Sequence, residues 1–199
     1  MPRISLTDLV DVVTSSGVPK ATKISQIKSR PAYEPQFDFY KPLRDAIQTM
    51  HQSGLQKSEL DKLKSTLTDE KKISNYPSAI SGYKKWLGKR SVKWFDPPRE
   101  HLSEAGVDVI INPELGLEVD GTRHVVKLYF KSDKLTKLKI DVITEAMEQA
   151  LRPKSKSTDV MTVVDVRRGK SFSGAGPSAK LSSMVGAELA YIAYLWPKV

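Results

Sequence analysis

The sequence predicts an α+β protein, with a mostly helical first half and a second half that mixes strands and helices. Apolar residues recur at helical spacing through much of residues 1–98, and β-branched runs follow the prolines of "WFDPPRE". A long amphipathic segment, "LTKLKIDVITEAMEQAL", then precedes a further strand. We therefore expect residues 1–98 to form a basic, mostly helical region and residues 99–199 to form an α+β core, as two domains or as one continuous domain.

Helical segments in the first half are marked by apolar residues three or four positions apart. The first segment contains Leu6, Leu9, Val10 and Val13, and Gly17 ends it. A two-proline stretch, "SRPAYEPQFD", is predicted to be an extended connector between the second and third helices. The later helical segments are, in chain order, 20–28, "DFYKPLRDAIQTMHQSG", 58–67 and "AISGYKKWLGK".

The second half begins with three predicted strands, "VDVIIN", "LGLEV" and "RHVVKLYFK". Asp120-Gly121, between the last two, is a strong signal for a two-residue hairpin turn. The pattern predicts a three-stranded antiparallel meander, then a crossover helix, a fourth strand "VMTVVDV", a loop "GKSFSGAGPS" and a C-terminal helix at 178–196. Apolar residues occupy most faces of that last helix, which favours its burial in the core or in a homodimer interface.

The composition excludes several kinds of site. The chain has no cysteine, and so it has no disulfide, no cysteine nucleophile and no thiolate metal site. Its three histidines form no HExxH pair that would support zinc binding. No apolar run reaches the ~18 residues that a membrane span needs. We therefore expect no membrane partner and a cytoplasmic location.

Positive charge is concentrated in the first half of the chain. Residues 1–98 contain 17 Lys/Arg against 10 Asp/Glu, whereas residues 99–199 contain 15 against 13. The net charge of the whole chain is +9. Because such a surface attracts polyanions, we predict a nucleic-acid partner, either DNA or RNA.

The window "NYPSAISGYKKWLGKRSVKWF" interleaves aromatic rings with cations. Rings can stack on unpaired bases while cations hold phosphates. Ile80, Tyr83 and Leu87 are also at helical spacing, so the rings have a second interpretation as core residues. Further arginines follow the fourth strand. The predicted nucleic-acid-binding residues are Lys84, Lys85, Trp86, Lys89, Arg90, Lys93, Arg167 and Arg168.

The predicted order of elements is a helix, three antiparallel strands, a crossover helix and a fourth strand. Pro113-Glu114 comes before the second of the three strands, and Lys131 is on the third. Over residues 105–166 this combination resembles the core of the PD-(D/E)XK nuclease-like superfamily. The resemblance implies a magnesium ion held by carboxylates on neighbouring strands, with a lysine beside the scissile phosphate. It makes Glu114 and Asp120 the candidate metal ligands and catalytic acids, and Lys131 the catalytic lysine.

The chain departs from the family pattern at Tyr129, where the second acid belongs, because a neutral phenol is a poor magnesium ligand. Three explanations stay open: another carboxylate takes its place, the scaffold binds without cutting, or the match is an accident of α+β folds. Lys127 and Lys131 share strand parity with Tyr129, so all three are expected on one face. Three functions stay open: nucleic-acid binding through the basic helical surface, magnesium-dependent nuclease activity, and a protein-interaction or regulatory role with an acidic partner.

Overall fold

The computed structural model describes residues 1–199 and contains seven α-helices and eight β-strands. The helices are α1 (Leu6–Val13), α2 (Gly17–Lys28), α3 (Lys41–Gln52), α4 (Glu59–Ser65), α5 (Glu70–Leu87), α6 (Lys137–Leu151) and α7 (Ala179–Leu195). The strands are β1 (Arg3–Ser5), β2 (Val92–Phe95), β3 (Glu100–Glu104), β4 (Val107–Ile111), β5 (Leu115–Val119), β6 (Thr122–Tyr129), β7 (Val160–Asp165) and β8 (Lys170–Ser173). The predicted α+β class is confirmed. None of the helices combines the length and the apolar composition needed to cross a membrane.

The strands form two sheets. The small sheet has the order β1-β4-β3, and β1 is parallel to β4. The large sheet has the order β2-β5-β6-β7-β8. In the large sheet β6 and β7 are parallel and are joined through α6, whereas the other neighbouring strands are antiparallel. The crossover helix and the fourth strand therefore lie where the sequence places them.

The predicted meander is divided between the two sheets, which corrects that part of the prediction. β5 and β6 pair as a hairpin around Asp120-Gly121, where both residues have the positive φ of a type I′ turn. β4 instead pairs with β3 and β1. The chain leaves β4 through Asn112-Pro113, and the strand ends there because proline has no N–H to donate to a ladder.

Two hydrophobic cores lie on opposite faces of the large sheet. Along β6, Val125 and Tyr129 belong to the first core, whereas Val126 and Leu128 belong to the second. The first core also contains residues of α1, α2, α6, α7 and the small sheet. The second contains residues of α3, α4 and α5. Each core therefore combines residues from both halves of the chain.

Two segments differ locally from the sequence pattern. α5 begins well before the predicted helix and contains Pro77 in its interior. β8 forms within the Gly/Ser-rich stretch that was predicted as a loop, and it pairs with β7. Tertiary contact explains the first difference, because the added N-terminal part of α5 buries Tyr76 in the second core and packing of this kind overrides local propensity.

Candidate functional site

A charged groove lies between α1, the connector 30–38, α3 and the strand ends of both sheets. Its cavity volume is about 760 Å³, and only five of its 21 lining residues are hydrophobic. Four carboxylates line the groove: Asp8, Asp38, Asp45 and Glu114. Six cations also line it: Arg3, Arg30, Lys41, Arg44, Arg99 and Lys127. The groove therefore has an excess of positive charge.

Glu114 and Lys127 meet at the floor of this groove. Lys127 Nζ lies 2.6 Å from Glu114 Oε1, and the other carboxylate oxygen accepts the backbone N–H of Leu128 at 2.7 Å. Their side chains are 9% and 12% exposed, respectively. The β5–β6 hairpin brings them together, since the Glu114 N–H donates to the carbonyl of Val126 on the opposite strand. Both oxygens of Glu114 are therefore already bonded within the protein.

The helix α3 forms the wall next to this pair. The Gln48 side chain donates to the backbone carbonyl of Glu114 at 2.8 Å. Arg44 pairs with Asp38 at 2.6 Å. Burial lowers the pKa of the Arg44 guanidinium, but the hydrogen bond from Arg44 to Asp38 and the charges of Asp38 and Glu114 raise its pKa overall. Arg44 is thus a permanent cation whose guanidinium is fixed in the wall.

Two further arginines of the groove, Arg3 and Arg30, form ion pairs with buried carboxylates. Arg3 Nε donates to Asp108 at 2.8 Å, and the Arg3 side chain remains 67% exposed. Arg30 makes a forked contact with both oxygens of Asp8, and its side chain remains 55% exposed. Because each guanidinium has five N–H donors in a rigid plane, it retains donors that face solvent. Both arginines are oriented before any ligand arrives.

Two exposed groups complete the lining of the groove. Arg99, just before β3, has no ion-pair partner and is exposed to solvent. Tyr33, in the connector, exposes its ring and donates its hydroxyl to Asp38 at 3.0 Å. The groove therefore offers a free cation and an accessible aromatic face as well as its oriented arginines.

The predicted metal pair is wrong, because Glu114 and Asp120 lie at opposite ends of β5. At about 3.4 Å per residue the strand separates their backbones by about 20 Å. Asp120 lies in the hairpin turn, where it accepts the backbone N–H of Ser91 at 3.1 Å. The structure contains no group of three His, Asp or Glu residues arranged to hold a metal ion.

The predicted catalytic lysine is also away from Glu114. Lys131 pairs with Asp11 of α1 at 2.5 Å. Lys127, Tyr129 and Lys131 do lie on one face of the strand, since all three line a small cavity against α1. The lysine beside Glu114 is Lys127, and the hairpin could have revealed this from sequence. A two-residue turn at 120–121 pairs residue 119 with 122, and by extension 114 with 127.

The residues at the groove floor do not fit a magnesium ion. The position two residues before Lys127, where the family pattern places its second acid, is Val125, which is fully buried in the first core. Glu114 is then the one carboxylate beside Lys127, and both of its oxygens are engaged. Magnesium is usually bound through oxygen ligands such as one or two carboxylates, with near-ideal octahedral geometry. We therefore assign no metal chemistry to this pair.

Several predicted nucleic-acid contacts are used inside the protein. Three of the cations have carboxylate partners: Lys84 with Asp61, Lys93 with Glu118, and Arg168 with Asp165. The guanidinium of Arg167 donates hydrogen bonds to the backbone carbonyl of Phe130 and to the side chains of Tyr40, Asn75 and Ser78. Arg167 therefore links the chain after β7 to α5, to the residue after β6 and to the residue before α3.

The predicted stacking ring is not available on this surface. Trp86 is buried in the second core, and Arg90 lies over its ring and donates to its carbonyl. The prediction that Trp86 stacks on bases is wrong, because the helical spacing of these rings reflects burial in the core. Lys85, Lys89 and Arg90 are exposed and have no carboxylate partner, so they remain as a smaller basic patch near the end of α5.

No protein-family model matches the chain, and no curated protein matches it. The inference of function therefore depends on which cations are free to meet a ligand. The groove is lined by an exposed aromatic ring, Tyr33, as well as by such cations, whereas the Trp86 ring in the patch near the end of α5 is buried.

Proposed function

We propose that this protein binds nucleic acid and that the charged groove is the binding surface. The observation that carries the proposal is the pair Arg3 and Arg30, each held by a buried carboxylate and each more than half exposed along the groove. A guanidinium fixed in this way loses little side-chain freedom when it meets a phosphate, and its planar donors match phosphate oxygens. Arg99 adds a cation that has no internal partner.

The polarity of the lining favours a polyanion over an apolar small molecule. Small-molecule pockets are lined mainly by hydrophobic and aromatic groups, whereas most of this groove is polar or charged. The exposed ion pair of Lys41 and Asp45 is a weak competitor, because exposed pairs contribute about 0–1 kcal/mol. A phosphate chain with many charges can therefore displace this pair, while the buried carboxylates keep Arg3 and Arg30 in place.

Tyr33 supplies a contact suited to an unpaired base. Its ring is exposed along the groove, which is also lined by Arg3, Arg30 and Arg99. Stacking of a base on an aromatic ring contributes about 1–3 kcal/mol and tolerates any base sequence. The groove therefore supports binding of single strands with little sequence preference.

The proposal replaces the basic helical surface as the main contact and does not include catalysis. The nuclease alternative lacks support at the groove floor, where one carboxylate is fully engaged. The homodimer predicted through α7 stays a prediction. This helix buries Val185, Leu189 and Ile192 in the first core, and Tyr191 and Tyr194 on its other side are exposed.

The test is fluorescence anisotropy with labelled single-stranded DNA, single-stranded RNA and duplex DNA, using wild type, Tyr33→Ala and Phe37→Ala. Phe37 is a matched control, because it is an exposed ring in the same connector that does not line the groove. We expect binding of single strands that weakens in Tyr33→Ala by about tenfold, equivalent to about 1.4 kcal/mol, and is unchanged in Phe37→Ala. Absence of binding to all three probes at low salt would refute the proposal.

A further inference from the structure

The outer face of the small sheet carries a connected set of polar side chains. Its inner face packs Ile4, Val109 and Ile111 into the first core. Residues alternate along a strand, so the neighbouring positions project outward. Strand register places Arg3 of β1 opposite Asp108 of β4, and Asp108 opposite Ser103 of β3. Arg3 also lines the charged groove, so this face is continuous with it.

Asp108 is the centre of this set. Its carboxylate is almost fully buried, and it accepts Arg3 Nε at 2.8 Å, His101 Nδ1 at 2.9 Å and Ser103 Oγ at 2.9 Å. Burial raises the pKa of Asp108, but the hydrogen bonds from His101, Ser103 and Arg3 outweigh burial and hold the pKa below its ordinary value. The carboxylate is therefore a fixed anion that orients the groups around it.

Arg3 and His101, which both bond Asp108, keep their outer nitrogens free. His101 uses Nδ1, which leaves Nε2 for solvent, and the side chain is 46% exposed. Arg3 uses Nε, which leaves its two terminal nitrogens. Both groups bond the same carboxylate oxygen of Asp108, so they are neighbours. Arg99, two residues before His101, lines the adjoining groove.

We propose that Arg3 and His101 form a binding site for one phosphate group, at the end of the charged groove, and that protonation of His101 strengthens it. The proposal deepens the nucleic-acid function and rests on it for the source of the phosphate. Three features match a phosphate: planar guanidinium donors, an imidazole Nε2 that gains an N–H when the ring is protonated, and a buried carboxylate that fixes both groups without occupying their outer sides.

The charge of this site depends on His101. Imidazole is the side chain that ordinarily changes charge between about pH 5 and pH 8. The groups that face the ring are Asp108 from β4, Arg3 from β1 and Ser103 from its own strand. A protonated ring would add a positive charge next to Arg3 and another N–H donor. Phosphate affinity should therefore rise as the pH falls.

The other two histidines provide internal controls. Burial lowers the pKa of His51 to about 4, and its ring bonds the Tyr83 hydroxyl in the second core. Burial and the charge of Arg90 lower the pKa of His124, which bonds Thr162. Both rings lie away from the outer face of the small sheet. With three histidines in the chain, a spectrum of ring signals distinguishes them easily.

The first test is an NMR titration of the histidine ring signals with inorganic phosphate, in wild type and in Arg3→Gln. We expect a saturable shift of the His101 signals alone and several-fold weaker binding in Arg3→Gln. The proposal is overturned if the His101 signals do not move in high millimolar phosphate, or if Arg3→Gln binds as tightly as wild type.

The second test uses His101→Gln, which keeps a side-chain donor for Asp108, and labelled single strands with and without a 5′-phosphate. Wild type should bind several-fold more tightly near pH 6 than near pH 8, and His101→Gln should lose this dependence. Tighter binding of the 5′-phosphorylated strand would identify a terminal phosphate, and equal binding a backbone phosphate. An unchanged pH dependence in His101→Gln would overturn the site. A His101 response to inorganic phosphate without any strand binding would instead refute the nucleic-acid function and retain the site.

Discussion

Glu114 and Lys127 form an ion pair at 2.6 Å across the β5–β6 hairpin, at the floor of the charged groove. Glu114 also accepts the backbone N–H of Leu128, so the carboxylate joins a side chain and the main chain of β6. A buried charge is stable only while its partner and its hydrogen bonds are present. The pair therefore contributes to the groove as a structural element, and its removal should affect folding before it affects any ligand.

Replacement of Glu114 tests this structural role. Glu114→Ala leaves Lys127 mostly buried without a carboxylate partner and removes the acceptor of the Leu128 N–H, so we expect a loss of about 3–5 kcal/mol in the free energy of unfolding. Urea denaturation followed by circular dichroism measures it. Asp45→Ala is the control, because it breaks the ion pair with Lys41 on the surface of α3 and should cost far less. Equal losses in the two variants would contradict a structural pair.

The carboxylate of Asp8 should stabilise the protein in a pH-dependent way. Burial raises its pKa, but the hydrogen bonds from Arg30 and Ser5 lower it more, so the folded-state pKa lies below the ordinary 3.8. The unfolded chain then binds the proton more readily than the folded chain. The stabilisation is fully present above the unfolded pKa and is lost as the pH falls through the folded pKa.

We therefore expect the melting temperature of wild type to fall steeply below about pH 4. Asp8→Asn should melt lower near neutral pH and show a shallower decline in acid. Asp120→Asn, in the exposed hairpin turn, is the control and should keep the acid profile of wild type. If Asp8→Asn also keeps that profile, the stabilising contacts of Asp8 do not carry the effect.

Trp86 should matter for stability and not for binding. The ring is buried in the second core, and its Nε1 has no hydrogen-bond partner. Trp86→Ala should therefore cost about 3–5 kcal/mol in the free energy of unfolding. Trp86→Phe removes the unpaired N–H, keeps an aromatic ring, and should bind single strands as wild type does. A large loss of affinity in a well-folded Trp86→Phe variant would restore the stacking role.

Gly82 allows α5 to approach the end of β7. A Cβ at this position would lie 2.1 Å from the carbonyl oxygen of Val166, so the helix or the chain after the strand would have to move. We expect Gly82→Ala to destabilise the fold by about 1–3 kcal/mol, despite the better helix propensity of alanine. Ser81→Ala, at the exposed neighbouring position, is the control. Thermal unfolding of both variants measures the difference, and no difference would contradict the close approach.

The parts of the fold that depend on local sequence were predictable. The dipeptide Asp120-Gly121 is sufficient to predict the hairpin turn that it forms. The spacing of apolar residues in α1 and α6 likewise predicts which face of each helix is buried. Contacts between distant segments were not predictable in this way. β1 pairs with β4 across about half of the chain, and nothing in a three-residue strand specifies that partner.

The candidate site could not be predicted either, because it too depends on contacts between distant segments. Its cations come from β1, the connector 30–38, α3, the residue before β3, and β6, so no single window of sequence contains them. The basic window around Trp86 was conspicuous because its residues are adjacent in the chain. Tyr76, Tyr83 and Trp86 are core residues, and two lysines of the window, Lys84 and Lys93, have carboxylate partners. Lys127 was the exception, since hairpin register alone would have placed it opposite Glu114.

The salt dependence of single-strand affinity tests the central claim most directly. The double variant Arg3→Gln/Arg99→Gln removes two cations from the groove, and Lys85→Gln/Lys89→Gln removes two exposed cations near the end of α5. Because each phosphate contact contributes about 0.7 to the slope of log K against log salt for single strands, the groove variant should flatten the slope by about 1.4, while the other variant keeps the slope of wild type. A flattened slope in the α5 variant alone would contradict the account and return the binding surface to the helix.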